Sequence, residues 1–223
     1  MAAKKKNAPR KRPQQARAQT TVHAILEATV QVLERGGPDA ATTTRIAEVA
    51  GVSVGTLYQY FSHRDAIFDA LQEREFERAI GLMQIVLSDD NLARTPRETV
   101  MAAIQGLADL YREHPGMHRM LAMEGLRATK ADRIHSFDLR VIALVRHFLG
   151  ATDAPVRRKN LEAASFVAFQ CVRATMLASL LETPAGLNDA ALLEELADLL
   201  LRYLVDDDWL EQQTKKKRVQ KKV

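Results

Sequence analysis

Residues 51–61 read GVSVGTLYQYF, eleven positions without a charge in a chain whose residues are 27% charged. Gly51 permits a left-handed turn, and the hydroxyl of Ser53 can cap a helix running to about Tyr60. Upstream, Thr42, Thr43 and Thr44 offer oxygens to cap another short helix, Arg45 to Ala50. Two short helices joined by a tight glycine turn predict a helix-turn-helix. Ile46, Ala47, Ala50, Val52, Leu57 and Phe61 form its apolar side, expected to pack on Ile25, Val32 and Phe68.

That leaves Ser53, Gly55, Thr56, Tyr58, Gln59 and Tyr60 facing outward on the third helix. A helix entering the major groove needs small residues for close approach. It needs hydroxyls and N–H groups for phosphates, an amide for base edges, and no acid to repel the duplex. The two tyrosines could instead be core aromatics, but Leu57 and Phe61 already fill the one buried face of so short a helix. Ser53 can cap the helix and still meet phosphate.

The stretch TTTRIAEVAGVSVGTLYQYFSHRDAIFDAL, residues 42–71, resembles without a gap the DNA-binding signature of the tetracycline-repressor family. The resemblance implies an all-α protein: an N-terminal three-helix DNA-binding domain and a C-terminal helical domain for ligand binding and dimerisation. It implies that Thr43 touches the DNA backbone at the start of the second helix, with Thr44 beside it. Ser53, Gly55, Thr56, Tyr58, Gln59 and Tyr60 would form the reading surface. Arg64 stands where the family usually has a lysine and would grip phosphate. Val54 stands where some relatives carry a base.

The rest of the chain reads as helices. Val22, Ile25, Leu26, Thr29, Val32 and Leu33 give a three- and four-residue period over about 17–35, stopped by Gly36-Gly37-Pro38. Ser62-His63-Arg64-Asp65 reads as a capping box opening a helix to about Leu87. Further helices are expected near 96–113, 116–129, 132–149, 156–182 and 187–206, with no strand pattern.

The formal charge of +4 divides unevenly. Residues 1–17 hold seven basic groups and no acid, and residues 211–223 hold six and one acid. The remainder carries 19 basic and 27 acidic groups, a net of −8. These runs read as disordered arms that meet nucleic acid or, for the second, equally as a solubilising tail. The expected organisation is a basic arm over 1–17, a DNA-binding domain over 18–66, an effector and dimerisation domain over 67–210, and a basic tail over 211–223.

The single cysteine, Cys171, fits a reducing compartment. No apolar run follows the first basic cluster, so no secretory signal is read. Gln170 and Arg173 argue against a membrane span in residues 163–181. A cytoplasmic, nucleoid-associated bacterial protein is expected.

Residues 163–181 are apolar almost all round, and 13 of the 19 residues in 187–205 are apolar. A helix apolar on two faces can bury one in its own subunit and the other on a copy of itself. A homodimer through the last two long helices, on a palindromic double-stranded DNA operator, is therefore expected, as the resemblance also implies. Asp198 and Arg202 read as a surface pair.

The resemblance further implies a cavity for a small-molecule effector. Met117, Met120, Phe137, Phe166 and Phe169 are its candidate walls, with Met123 and Met176, although such residues are more often plain core. His114, His118, Glu124, Arg127, His135 and His147 could supply polar contacts. His114 and His118 are four apart but lack a third ligand, so no metal is expected. No cofactor is expected either. The sequence offers no glycine-rich phosphate loop, no catalytic carboxylate pair and no nucleophile elbow, so the expectation is a non-enzymatic, ligand-responsive repressor.

Overall fold

A computed structural model of the chain describes residues 11–88, 95–125, 131–152, 154–182, 186–206 and 209; for 11–16, 125 and 131–133 it describes the backbone alone. Residues 1–10 of the basic arm, the tail 211–223 and Arg127 lie outside the described residues. The chain forms helices α1 (Lys11–Ala40), α2 (Thr43–Val49), α3 (Val54–Tyr60), α4 (Arg64–Val86), α5 (Pro96–Glu113), α6 (Pro115–Gly125), α7 (Ala131–Ala151), α8 (Leu161–Leu181) and α9 (Asp189–Leu204). No strand occurs among the described residues, so the fold is all-α. Two compact units divide inside α4, between Glu73 and Arg74.

In the first unit α2 packs on both α1 and α3. Ile25, Val32, Ile46, Ala47, Leu57, Phe61 and Phe68 are all buried, while Ala50 and Val52 are half-buried. Gly37, at φ +70, breaks the helical path near the end of α1. α1 begins at Lys11, ahead of the residue-17 start that periodicity gives, because residues 11–17 carry no apolar period to mark a helix.

α4 is capped differently from expectation. His63, rather than Ser62, supplies the cap: its Nδ1 accepts from the Ala66 N–H at 3.1 Å. An acceptor Nδ1 places the ring proton on Nε2.

In the second unit α5 lies along α9, α7 along α8, and α6 against α8. Thr95 and Glu98 cap α5 reciprocally: the Thr95 N–H donates to Glu98 Oε2 at 2.9 Å, and the Glu98 N–H to Thr95 Oγ1 at 3.3 Å. Ile104, Leu193, Leu196, Ala197 and Leu200 join α5 to α9 in one core. Ile80, Met83, Val141, Ile142 and Phe169 form another.

α8 starts at Leu161, five residues later than periodicity suggests. Val156 is held in an isolated antiparallel bridge to Val205, with Arg157 N–H donating to Leu204 C=O at 2.8 Å. That extended backbone cannot be helical, and Asn160 caps the helix beyond it. Asp198 does not pair with Arg202 as expected; Arg97 of α5 reaches both Asp198 and Glu194, because α5 and α9 lie side by side.

α8 is apolar almost all round, yet the chain covers little of it. Only 28% of its most apolar window is buried within the chain. It is the one helix among the described residues long and apolar enough to cross a membrane, yet Glu162 and Arg173 lie on it, and Arg173 is paired to Asp138 at 3.2 Å.

Candidate nucleic-acid interface and ligand cavity

Thr42 Oγ1 accepts from Arg45 N–H at 3.2 Å and starts α2, leaving Thr43 and Thr44 in its first turn. The helix closes with Gly51 N–H to Glu48 C=O at 3.2 Å and Val52 N–H to Ala47 C=O at 3.0 Å. Gly51 sits at φ +68, where a side chain would be strained, which is why the turn needs glycine. Ser53 Oγ then accepts from Thr56 N–H at 3.0 Å and opens α3.

The outward side of α3 is as the sequence predicts in position. Tyr58 is 51% exposed and Tyr60 37%, and Ser53, Gly55 and Gln59 are exposed, whereas Leu57 is fully buried. Thr56 is half-buried, its Oγ1 2.8 Å from Ser53 Oγ. Thr44 is exposed and Thr43 half-buried.

One contact was not legible in the sequence: Thr43 Oγ1 lies 3.2 Å from the Tyr58 hydroxyl, across 15 residues. It braces α3 against the first turn of α2, so two expected DNA contacts hold each other in place. Arg64 Nε is 3.6 Å from Asp65, and its guanidinium stands 5.3 Å from the centre of the Phe68 ring. Stacked there, with 45% of the side chain exposed, it is positioned yet still open to a partner. Arg45 pairs with Glu48 at 2.7 Å. α3 itself bears no charge.

The second unit holds a cavity of about 120 Å³ bounded by α4, α5, α7, α8 and α9. Phe137 and Phe169 line it, as does Met176. Met117 and Met120 are buried but lie outside its lining. Phe166 does not serve as a wall: it is 52% exposed and absent from the lining, whereas Phe169, about 60° further round α8, is buried and lines the cavity. The polar side chains on the lining are Thr99, Tyr111 and Arg173. Burial pushes the Tyr111 hydroxyl pKa up, against the opposing charge of Arg173, so it keeps its proton as a donor.

Beside Tyr111 lies a buried polar cluster. Glu75, 4% exposed, receives Arg74 Nε at 3.0 Å and Arg78 Nη1 at 2.9 Å. His118 is 5% exposed, its Nε2 3.8 Å from Glu75 Oε2 and its ring 4.9 Å from that of Tyr111. Burial lowers its pKa to about 4; Arg78 and His114 push the same way, while Glu75 and a bond to the Leu110 carbonyl oppose. His118 is thus a neutral interior side chain, and His114 ends α5. No group of three or more His, Cys, Asp or Glu side chains that could hold a metal occurs among the described residues.

Residues 25–71 match the model of bacterial regulatory proteins of the tetR family, and residues 95–204 match that of a tetracyclin repressor-like C-terminal domain. The nucleoid occlusion factor SlmA of Actinobacillus pleuropneumoniae is 32% identical over 103 residues, 46% of this chain and 50% of that protein. The chain thus spans about half the length of that curated relative. The HTH-type transcriptional repressor KstR of Mycolicibacterium smegmatis is 43% identical over 54 residues, 24% of this chain and 26% of that one.

Among solved structures, the regulator FadR of Bacillus subtilis in complex with stearoyl-CoA superposes with a TM-score of 0.64 at 18% identity, covering 81% of this chain and 98% of that one. A transcriptional regulator of Cytophaga hutchinsonii reaches 0.66 at 16% identity, covering 83% and 98%. These two likenesses bear on the fold. With one family model spanning the helix-turn-helix and a second spanning α5 to α9, the chain belongs to the tetracycline-repressor family of bacterial transcriptional regulators.

Proposed function

We propose that the protein is a cytoplasmic repressor that binds a palindromic operator as a homodimer and is released by a small-molecule effector. The observation that carries the reading is the exposed, charge-free outer side of α3, with Gln59 between Tyr58 and Tyr60. In the major groove the Gln59 amide reads a base edge, while the Ser53, Thr56 and Thr43 hydroxyls and Arg64 hold phosphates.

One such head grips too few phosphates for tight specific binding, so two act together. Support for the pair comes from the open side of α8, where Phe166 and Val167 are exposed, and from Leu199 on α9, 52% exposed. Release by an effector is supported by α4, whose first turn carries Arg64 while Ala79 and Met83 lie on the cavity wall. An effector that favours one placement of α4 shifts the spacing of the two heads. FadR, alike in fold, was solved holding a small molecule. The protein acts in this reading by binding alone, without catalysis.

The test is a competition gel shift with operator found by genomic footprinting. Tyr58→Ala and Gln59→Ala are expected to lose discrimination between operator and random DNA, each by roughly 1–3 kcal/mol. Full discrimination in both variants would reject α3 as the reading helix and favour non-specific coating through the basic termini. Arg64→Ala is expected to weaken binding to every sequence alike and to reduce the salt slope by about one. An unchanged slope would remove Arg64 from the phosphate contacts.

A further inference from the structure

A second cavity, of about 170 Å³, lies in the larger unit between α5, α6, the last turns of α8 and the start of α9. Its volume exceeds the ~150 Å³ of an apolar cavity that accepts benzene, so one six-membered ring fits. Ala108, Met176 and Leu193 give it a buried apolar floor. Arg112, Arg119 and Asp189 give it an exposed, charged rim.

The three rim charges are not equivalent. Arg112 donates to Asp109 at 2.8 Å and stands 3.5 Å from Asp189, so its charge and that of Asp189 are answered within the chain. Arg173, on the other cavity, is likewise paired, to Asp138. Arg119 is held differently. Its Nε donates to the Leu180 C=O at 3.3 Å, in the last turn of α8, and no carboxylate pairs with it among the described residues. The carbonyl fixes one edge of the guanidinium and leaves the two Nη groups, four N–H donors in a plane, turned to other acceptors. A carboxylate is the acceptor that such a fork matches best. With Asp189 already engaged by Arg112, the rim keeps one net positive charge beside a hollow of ring size.

We propose that this cavity binds a free monocyclic carboxylic acid, its ring against Met176 and Leu193 and its carboxylate on Arg119. The site is separate from the effector cavity, and the proposal does not rest on the effector reading. Tyr111 and Met176 line both cavities, so a ring seated in one leans on a wall of the other.

Isothermal titration of the full-length protein without DNA, using benzoate, phenylacetate and their neutral amides, tests this. Wild type is expected to bind at least one acid about tenfold tighter than its own amide, because a charge-assisted pair replaces a neutral hydrogen bond. Arg119→Gln, a surface change, is expected to bring the acid down to the affinity of its amide. Ser179→Phe, half-buried on the lining, fills the hollow while Arg119 stays in place. It is expected to weaken the acid more than tenfold, with helicity by circular dichroism unchanged.

An acid-to-amide ratio of one in wild type, a ratio that survives Arg119→Gln, acid binding that survives Ser179→Phe, or no binding by either acid would overturn the proposal. Operator release enters none of these readouts, so failure here leaves the effector reading standing, and failure of that reading leaves this site standing.

Discussion

Phe166→Asp is expected to convert the proposed dimer to a monomer in sedimentation and to lower its affinity for a two-half-site operator roughly 100-fold or more. Phe166 is 52% exposed within one chain, Val167 38%, and Ala163, Ala174 and Ala178 follow on the same side of α8. A helix this apolar with so little of it buried leaves a surface that water disfavours. Covered by a copy of itself, that surface becomes the centre of an interface. An aspartate there would be buried without a partner, a far larger penalty than the lost ring contacts. The consequence for DNA comes from arithmetic rather than from any altered base contact. Once one head is bound, the second meets its half-site at a high effective concentration, and losing the tether forfeits a factor of about 10² to 10⁴. Binding to a single half-site should be unchanged, since α3 belongs to the other unit. A variant that remains dimeric and binds the full operator normally would place the interface elsewhere.

The helix-turn-helix was legible because local chemistry determines it. Ser53 caps, Gly51 turns, Leu57 is buried and Tyr58 is not, all within eleven residues. The Thr43–Tyr58 contact was not, since it depends on how α2 crosses α3, and no periodicity encodes a crossing. The same reason explains Arg97 displacing Arg202 as the partner of Asp198: pairing within one helix can be read by counting, pairing across two helices cannot. For the cavity, residue type suggested aromatics and methionines but could not assign helix faces. Phe166 and Phe169 are three apart, yet one is exposed while the other lines the cavity. Thr99, on the cavity lining, gave no signal at all, because a lone threonine becomes informative only when its hydroxyl is found buried and unmatched.

His118 makes the larger unit acid-sensitive in a way that isolates one side chain. Its pKa falls from 6.5 to about 4 on burial, so the folded form stays neutral while the unfolded chain takes up a proton. The sign follows directly: the contribution is intact above pH 6.5 and is lost as the pH falls toward 4. Two and a half pH units correspond to roughly 3 kcal/mol of unfolding free energy. Charged side chains surround it, Glu75 the nearest with its Oε2 3.8 Å from His118 Nε2, so the comparison must be with a variant that keeps them. His118→Phe retains a ring against Tyr111 and removes the titration. Urea unfolding followed by Trp209 fluorescence suits the test, because this single tryptophan packs on the core of α5, α8 and α9 and so reports the larger unit. Between pH 7 and pH 4 the wild type is expected to lose roughly 3 kcal/mol more than His118→Phe. Parallel losses in the two proteins would mean that His118 takes up its proton as readily folded as unfolded, and that the neutral contact with Tyr111 and Glu75 does not hold this end of the cavity together.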